Sequence, residues 1–331
     1  MPPAHPRQKK HSRKSRPDTV DKLLEAYPDV FADIINVLLY NGNPVVNPQF
    51  LTDGPSAAIY KAADGFLSQE NRDLAMYDTS GSPLCILYGL ENQTKPSPIM
   101  PARVMGYDAA SYDHNIRLIK SRNLAEGRPA DYAMEIHSNQ KLNPVITLTL
   151  YFGLTPWNGP RRLHDLLFLS EDIKKFLPDY PINLAEVAFL PPDTIEKFTS
   201  DFQIVAWWFR ARRLKNTDEL RTHQKEWIHV EELLEFFYVF AGDDRYRELK
   251  SGFAKRIRKG ESITMCTLVD SLIEEGMEKG IKKGISQGIA QTRYRDLAAL
   301  IRSGMPHEQA ARLLEFSQEE LEGFHQWTAL Q

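Results

Sequence analysis

Cysteine is almost missing from this chain: Cys85 and Cys266 are the only two in 331 residues. Two distant thiols exclude a disulfide framework, and without paired histidine spacing they argue against a structural zinc site. Sparse cysteine fits a reducing cytoplasm. Long apolar runs are missing too. None reaches the roughly 18 residues that a membrane-crossing helix needs, so no contact with a membrane is expected. The N-terminus is basic but lacks an apolar core, which argues against a secretory signal. A strong basic excess is also absent. The formal net charge is -3, whereas a dedicated DNA-binding domain is often strongly basic. His137, His164, His223 and His229 show no metal-ligand spacing and are assigned no role.

What is present is ordinary in bulk and uneven in detail. A hydrophobic fraction of 42% and a charged fraction of 26% suit a globular chain. The length allows one large domain or two ordinary ones. Residues 1–17 contain Arg7, Lys9, Lys10, Arg13, Lys14 and Arg16 and no acid. This basic tail is expected to be disordered, either gripping phosphates non-specifically or merely solvated. The first domain is expected over 18–261, with a helical subdomain from about residue 162.

Within it, Asp18 to Leu39 carries apolar residues at helical spacing, interrupted by Pro28 and ended by Asn41-Gly42. Residues 44–70 give no clear pattern. Ala102 to about Lys120 predicts a helix, and Asn143 to Phe152 a strand rich in β-branched residues. After Pro160 a helical start at Arg162 to Leu167 gives way to a proline-broken stretch. Thr194 to Leu214 and Val230 to Phe240 then predict helices. The aromatic cluster of the last is expected in the core. Strands interleaved with helices indicate an α/β layered fold, a mixed sheet flanked by helices.

The richest stretch is a hairpin. Asp73 to Tyr77 and Pro83 to Leu90 are strand-like and are joined by the turn formers Asp78-Thr-Ser-Gly-Ser82. The second run leads into Glu91-Asn92-Gln93. Side chains alternate along a strand, so Glu91 and Gln93 share a face. With a loop from Ser80 to Leu84, Asp73 stands directly opposite Glu91, the Cβ atoms about 4.5–5.5 Å apart. Two carboxylates so close call for a counter-ion. Mg²⁺ typically takes one or two carboxylates plus phosphate oxygens and water. The plain alternative is a solvated surface pair.

Four ordered segments together resemble one family. They are Asn71-Arg-Asp73; Leu84 to Thr94; Met100-Pro-Ala-Arg-Val-Met-Gly-Tyr107; and Leu150-Tyr-Phe-Gly153 running into Pro156-Trp-Asn-Gly-Pro-Arg161. They resemble the recombination-promoting nuclease / putative transposase (Rpn) family of the PD-(D/E)XK nuclease superfamily, over roughly residues 20 to 290. The resemblance implies a DNA endonuclease that uses Mg²⁺, with Mn²⁺ able to substitute, and a role in recombination. Asp73 and Glu91 would be metal ligands, with the carbonyl of Asn92 a third. Gln93 stands where most of the superfamily has lysine, and would orient water or a phosphate oxygen. Arg103, and Arg161 in the loop after the third strand, are candidates for contacting phosphate. An acid of the first helix often contributes in the superfamily; Asp33 is ranked before Asp29. The alternative is a degenerate nuclease fold kept for DNA or protein binding.

From Ser262 to Gln291 a single helical pattern carries Gly276, Gly280, Gly284 and Gly288 at four-residue spacing. Met277, Ile281, Ile285 and Ile289 form an adjacent apolar stripe. Glycine costs about 0.5–1 kcal/mol against alanine in a helix, and its repetition points to close approach of another backbone, as in a homo-oligomer. Glu, Lys and Gln between the glycines exclude a membrane helix. A flexible linker is the alternative. The last segment, 292–331, resembles two short helices about the Ser303-Gly-Met-Pro306 turn, a helix-turn-helix suited to packing or to DNA reading.

Overall fold

The computed structural model describes residues 24–55, 57–61, 67–81 and 84–329. The basic tail of 1–17 and the start of the first expected helix lie outside them. Two compact units divide at Cys266/Thr267.

In the first unit, Pro28 begins helix α1, Pro28–Tyr40. Proline suits a first helical position because its missing N–H would have no partner there. Asn41 takes the left-handed conformation and caps the helix end, its N–H on the Asn36 carbonyl. The unplaced stretch that follows holds three short strands: β1, Leu51–Asp53, β2, Ala57–Lys61, and β3, Leu67–Asn71. Strands β2 and β3 form a two-stranded sheet of their own.

The main sheet has five strands, the other four being β4, Leu74–Gly81, β5, Leu84–Gln93, β6, Val145–Tyr151, and β7, Asn183–Glu186. Their order is β1-β4-β5-β6-β7. β1 and β4 pair antiparallel, as do β4 and β5, while β5, β6 and β7 run parallel. This is the mixed sheet flanked by helices that the sequence indicated. β7 was missed because it is four residues long at the sheet edge, just after Pro181.

Helix α2, Met100–Ala125, joins β5 to β6 and covers one face of the sheet. Met100 and Val104 pack there with Tyr151 and Trp157. On the other face Phe152, at the end of β6, meets Phe209 and Phe236. These belong to helix α3, Phe202–Leu214, and helix α4, Val230–Ala241. The aromatic cluster of α4 is core, with Phe236 and Phe237 fully buried. Helix α5, Arg245–Arg258, was not foreseen and packs back along α4. Because β5 is covered on both sides, it reads as a continuous apolar run, and Leu87, Tyr88 and Leu90 are all buried. Cys85, near the start of the same strand, is half-buried.

The cations of Arg210-Ala-Arg-Arg-Leu-Lys215 serve the core. Arg212 donates to the Phe240 carbonyl at 2.7 Å, Arg213 to the Ala188 carbonyl at 2.7 Å, and Arg210 to Glu219 at 3.3 Å.

All but the first two residues of helix α6, Met265–Arg302, 38 residues long, belong to the second unit. The helix continues well past Gln291. Helices α7, His307–Leu313, and α8, Gln318–Ala329, follow. Leu297, Ala310, Ala311 and Phe324 make a small separate core. Along α6, Met277, Ile281, Ile285 and Ile289 are exposed. A Cβ added at Gly280, Gly284 or Gly288 would meet nothing within 4 Å. Among the described residues no helix is long and apolar enough to cross a membrane.

Candidate functional site

The ladder between β4 and β5 pairs Leu74 with Leu90 and Ala75 with Gly89. Asp73, one residue before Leu74, therefore faces Glu91, as the hairpin reading required. Asp73 is half-buried at the bend before β4. Its Oδ2 accepts the backbone N–H of Asn92 at 2.7 Å, which ties the two strand ends together.

Glu91 is 1% exposed. Its Oε1 accepts from Gln93 Nε2 at 3.0 Å and from Arg103 Nη2 at 2.7 Å. The Gln93 contact is the shared strand face made visible. Arg103 lies on the first turn of α2 and also donates to the Tyr107 hydroxyl at 2.7 Å. Burial pulls the Arg103 pKa down, but Glu91, Tyr107 and Asp73 outweigh it and the net shift is upward. The guanidinium stays charged. Thr149, fully buried on β6, is register-paired with Glu91. Its hydroxyl has no hydrogen-bond partner among the described residues.

Behind this pair lies a second one. Arg72 is 2% exposed and donates to Asp108 Oδ1 at 2.7 Å. Asp108 also accepts from Thr147 Oγ1 at 2.6 Å and the Tyr180 hydroxyl at 2.5 Å. Burial lowers the Arg72 pKa against the pull of Asp108 and Glu91. Burial likewise raises the Asp108 pKa, against hydrogen bonds from Thr147 and Tyr180 and the charge of Arg72. Gly89 makes the arrangement possible: a Cβ there would sit 2.2 Å from Arg72 Cδ. The Arg72 and Arg103 guanidinium carbons each lie 5.8 Å from the Tyr107 ring centroid.

The acid that α1's neighbourhood supplies is Glu25. It is buried, and its Oε2 accepts from Asn92 Nδ2 at 2.6 Å. Asn92 alternates with Glu91, so Glu25 reaches the end of β5 from the opposite face. Asp33 does something else. Its carboxylate accepts the N–H groups and hydroxyls of Thr199 and Ser200 at 2.7–3.1 Å. That network holds residues 199–201 out of helix and explains why α3 starts at Phe202 rather than Thr194. Asp33→Ala is expected to lower stability by about 1–3 kcal/mol, the cost of leaving buried donors unmade, read as a fall in melting temperature. An unaltered melting temperature would show that the Asp33 network does not hold the fold.

Asp29, the second choice, is half-buried on the first turn of α1. Arg161 is bound to Glu186 Oε1 at 2.7 Å. Glu186 is register-paired with Tyr151, and Tyr151 with Gln93. Arg161 thus anchors at the same end of the sheet, two strands from Gln93, or about 10 Å at the usual strand spacing. Arg72, Asp108 and Glu25 were not picked out from sequence. The usable signals were a second charged residue abutting Asp73 and a glycine two residues before Glu91.

Among the described residues, no group of three or more His, Cys, Asp or Glu converges as a metal cage. The donors at the strand ends are oxygens: the Asp73 and Glu91 carboxylates and the backbone carbonyl of Asn92. The Asn92 side chain, turned to Glu25, lies on the other face and is not one of them. Such a set fits a hard cation that keeps water and phosphate as its remaining ligands.

A mixed sheet with its acids at the end of a central strand is the frame of this site. Residues 78–234 match the model of a family described as putative transposase, YhgA-like. The family resemblance seen in the sequence is borne out over that span, which includes Glu91, Asn92, Gln93, Arg103 and Arg161. No curated protein and no solved structure matches the chain.

Proposed function

We propose that the chain is a metal-dependent DNA endonuclease that hydrolyses phosphodiester bonds, with a role in recombination or mobile-element biology. The observation that carries this reading is the facing of Asp73 and Glu91 across the β4–β5 ladder, inside a segment continuous with the family match. Asp73, Glu91 and Asn92 would hold Mg²⁺, or Mn²⁺ in its place. The ion would supply a water of lowered pKa and polarise the phosphate. Gln93 fixes one oxygen of Glu91 and presents its amide beside it. Arg103 is the cation nearest the acids and can turn to a phosphate oxygen once the ion takes over the charge of Glu91. Plasmid nicking by the purified protein with Mg²⁺, Mn²⁺ or EDTA tests the proposal. Metal-dependent nicking is expected.

One observation favours a second reading. Glu91 is already neutralised by Arg103, and Gln93 carries no charge to activate water. A fold retained for binding would keep this arrangement and bind DNA without cutting it under any metal.

The exposed stripe of α6 supports pairing with a second copy. Glycines spaced by four leave a groove beside an apolar ridge of the same repeat. Light scattering should give the mass of an oligomer for the intact protein and of a monomer for Ile281→Asp/Ile285→Asp. An unchanged mass in that variant would remove the helix as the assembly element.

A further inference from the structure

We infer that the C-terminal end of α5 is a docking surface for the phosphate backbone of DNA. Lys255, Arg258 and Lys259 are exposed there and lie within a single turn. Arg256, beside them, reaches Glu261 at 3.8 Å. Spacings of three and four place Lys255, Arg258 and Lys259 on one face, where like charges repel. The first half of the same helix behaves differently. Arg245 is bound to Asp243 at 2.6 Å, Arg247 to Glu235 at 2.5 Å and Lys250 to Glu235 at 2.6 Å. Cations are thus matched with acids at one end of α5, and three are left without an acidic partner among the described residues at the other.

Cations at a helix C-terminus are favoured by the helix dipole. That accounts for one or two of them, not for three unmatched on one face in a chain of net charge -3.

The position of the cluster ties it to the candidate site. Glu25 holds Asn92 at the end of β5. Two residues on, the Tyr27 hydroxyl donates to Glu232 at 2.8 Å, and its ring lies 3.8 Å from that of His229. The site therefore abuts the start of α4. The second half of α5 and the segment after it lie against the residues that lead into α4: Trp227 packs on Phe253, and its backbone N–H donates to the Ile263 carbonyl at 2.8 Å. The end of β5 and the segment that follows α5 thus both neighbour the stretch leading into α4. The choice of DNA as the polyanion rests on the nuclease reading; the matching of charge does not.

The test is fluorescence anisotropy of a labelled DNA duplex in EDTA over a series of salt concentrations. Each lost phosphate contact makes the slope of log affinity against log salt shallower by about 0.9. K255A/R258A/K259A should bind more weakly and shift the slope by about 2 to 3. K255R/R258K/K259R should keep the wild-type slope, as should K141A, an exposed lysine elsewhere. A triple-alanine slope within one unit of wild type overturns the inference. So does an equal shift in K141A or in the charge-retaining variant, or a wild type that binds no duplex. EDTA separates this from catalysis: binding through α5 by a protein that never nicks would sink the nuclease reading alone.

Discussion

Asp73→Ala and Glu91→Ala should each reduce metal-dependent nicking of plasmid DNA by roughly a thousandfold or more, the several kcal/mol that a positioned metal supplies. Glu91→Gln separates chemistry from architecture. Its amide oxygen can still accept the Arg103 guanidinium now 2.7 Å from Glu91 Oε1, so the fold persists. The charge that would hold the ion is gone, so cutting should fall nearly as far as in the alanine variant. Calorimetric titration with Mn²⁺ gives a readout independent of turnover, and weak or absent binding is expected in all three proteins. Nicking by Glu91→Gln at the wild-type rate would refute the assignment of Glu91 as a ligand. Arg103 itself is 29% exposed at its side chain, so its pairing with Glu91 contributes less to stability than a buried pair would.

Arg72→Met should produce the largest loss of stability. It removes one partner of a buried ion pair whose side chains are 2% and 6% exposed. Breaking such a pair costs about 3–5 kcal/mol, because the remaining charge is left uncompensated. For a unit of this size that is a fall in melting temperature of about 10 °C. The loss should depend on pH with a definite sign. Burial already raises the Asp108 pKa, and without Arg72 it rises further. A carboxyl whose folded pKa lies above its unfolded value of about 3.9 favours the folded state when protonated. That contribution fades as pH rises through the folded value. The deficit of Arg72→Met should therefore be smaller at low pH than at high pH. A deficit that grows on acidification would show that Asp108 is not the group left behind. Replacing both residues by apolar ones should do less harm than replacing either alone.

The hairpin was legible because two short-range signals agree. Turn formers at 78–82 mark where the chain reverses, although β4 itself runs on to Gly81 with a register shift after Asp78, and alternation then puts Glu91 and Gln93 on one face and Asp73 opposite. The α/β layering and the aromatic core of α4 were legible from periodicity. The acid supplied near α1 was not. Glu25, Asp29 and Asp33 all lie in or beside one helical stretch, and the sequence offers no way to know that Thr199 and Ser200 claim Asp33. Arg72 was unreadable for a similar reason. Burying a guanidinium makes sense only once Asp108, Thr147 and Tyr180 are seen converging on one point. Strand β7 carries too few residues to show a period, and α5 is so polar that it has no apolar run to announce it.

The bonds from Asp33 to Thr199 and Ser200 span 166 and 167 positions. That separation matters while the chain is being made. The hairpin that brings Asp73 to Glu91 is complete once its own short stretch has left the ribosome. The first helix is made earlier, yet the groups that tether it emerge more than 160 residues later. During that interval Phe31, Ile34 and Ile35, all buried in the finished fold, have no α3 to pack against. For close to half of its synthesis the nascent chain therefore carries this helix without its α3 partner, leaving apolar surface for chaperones to bind.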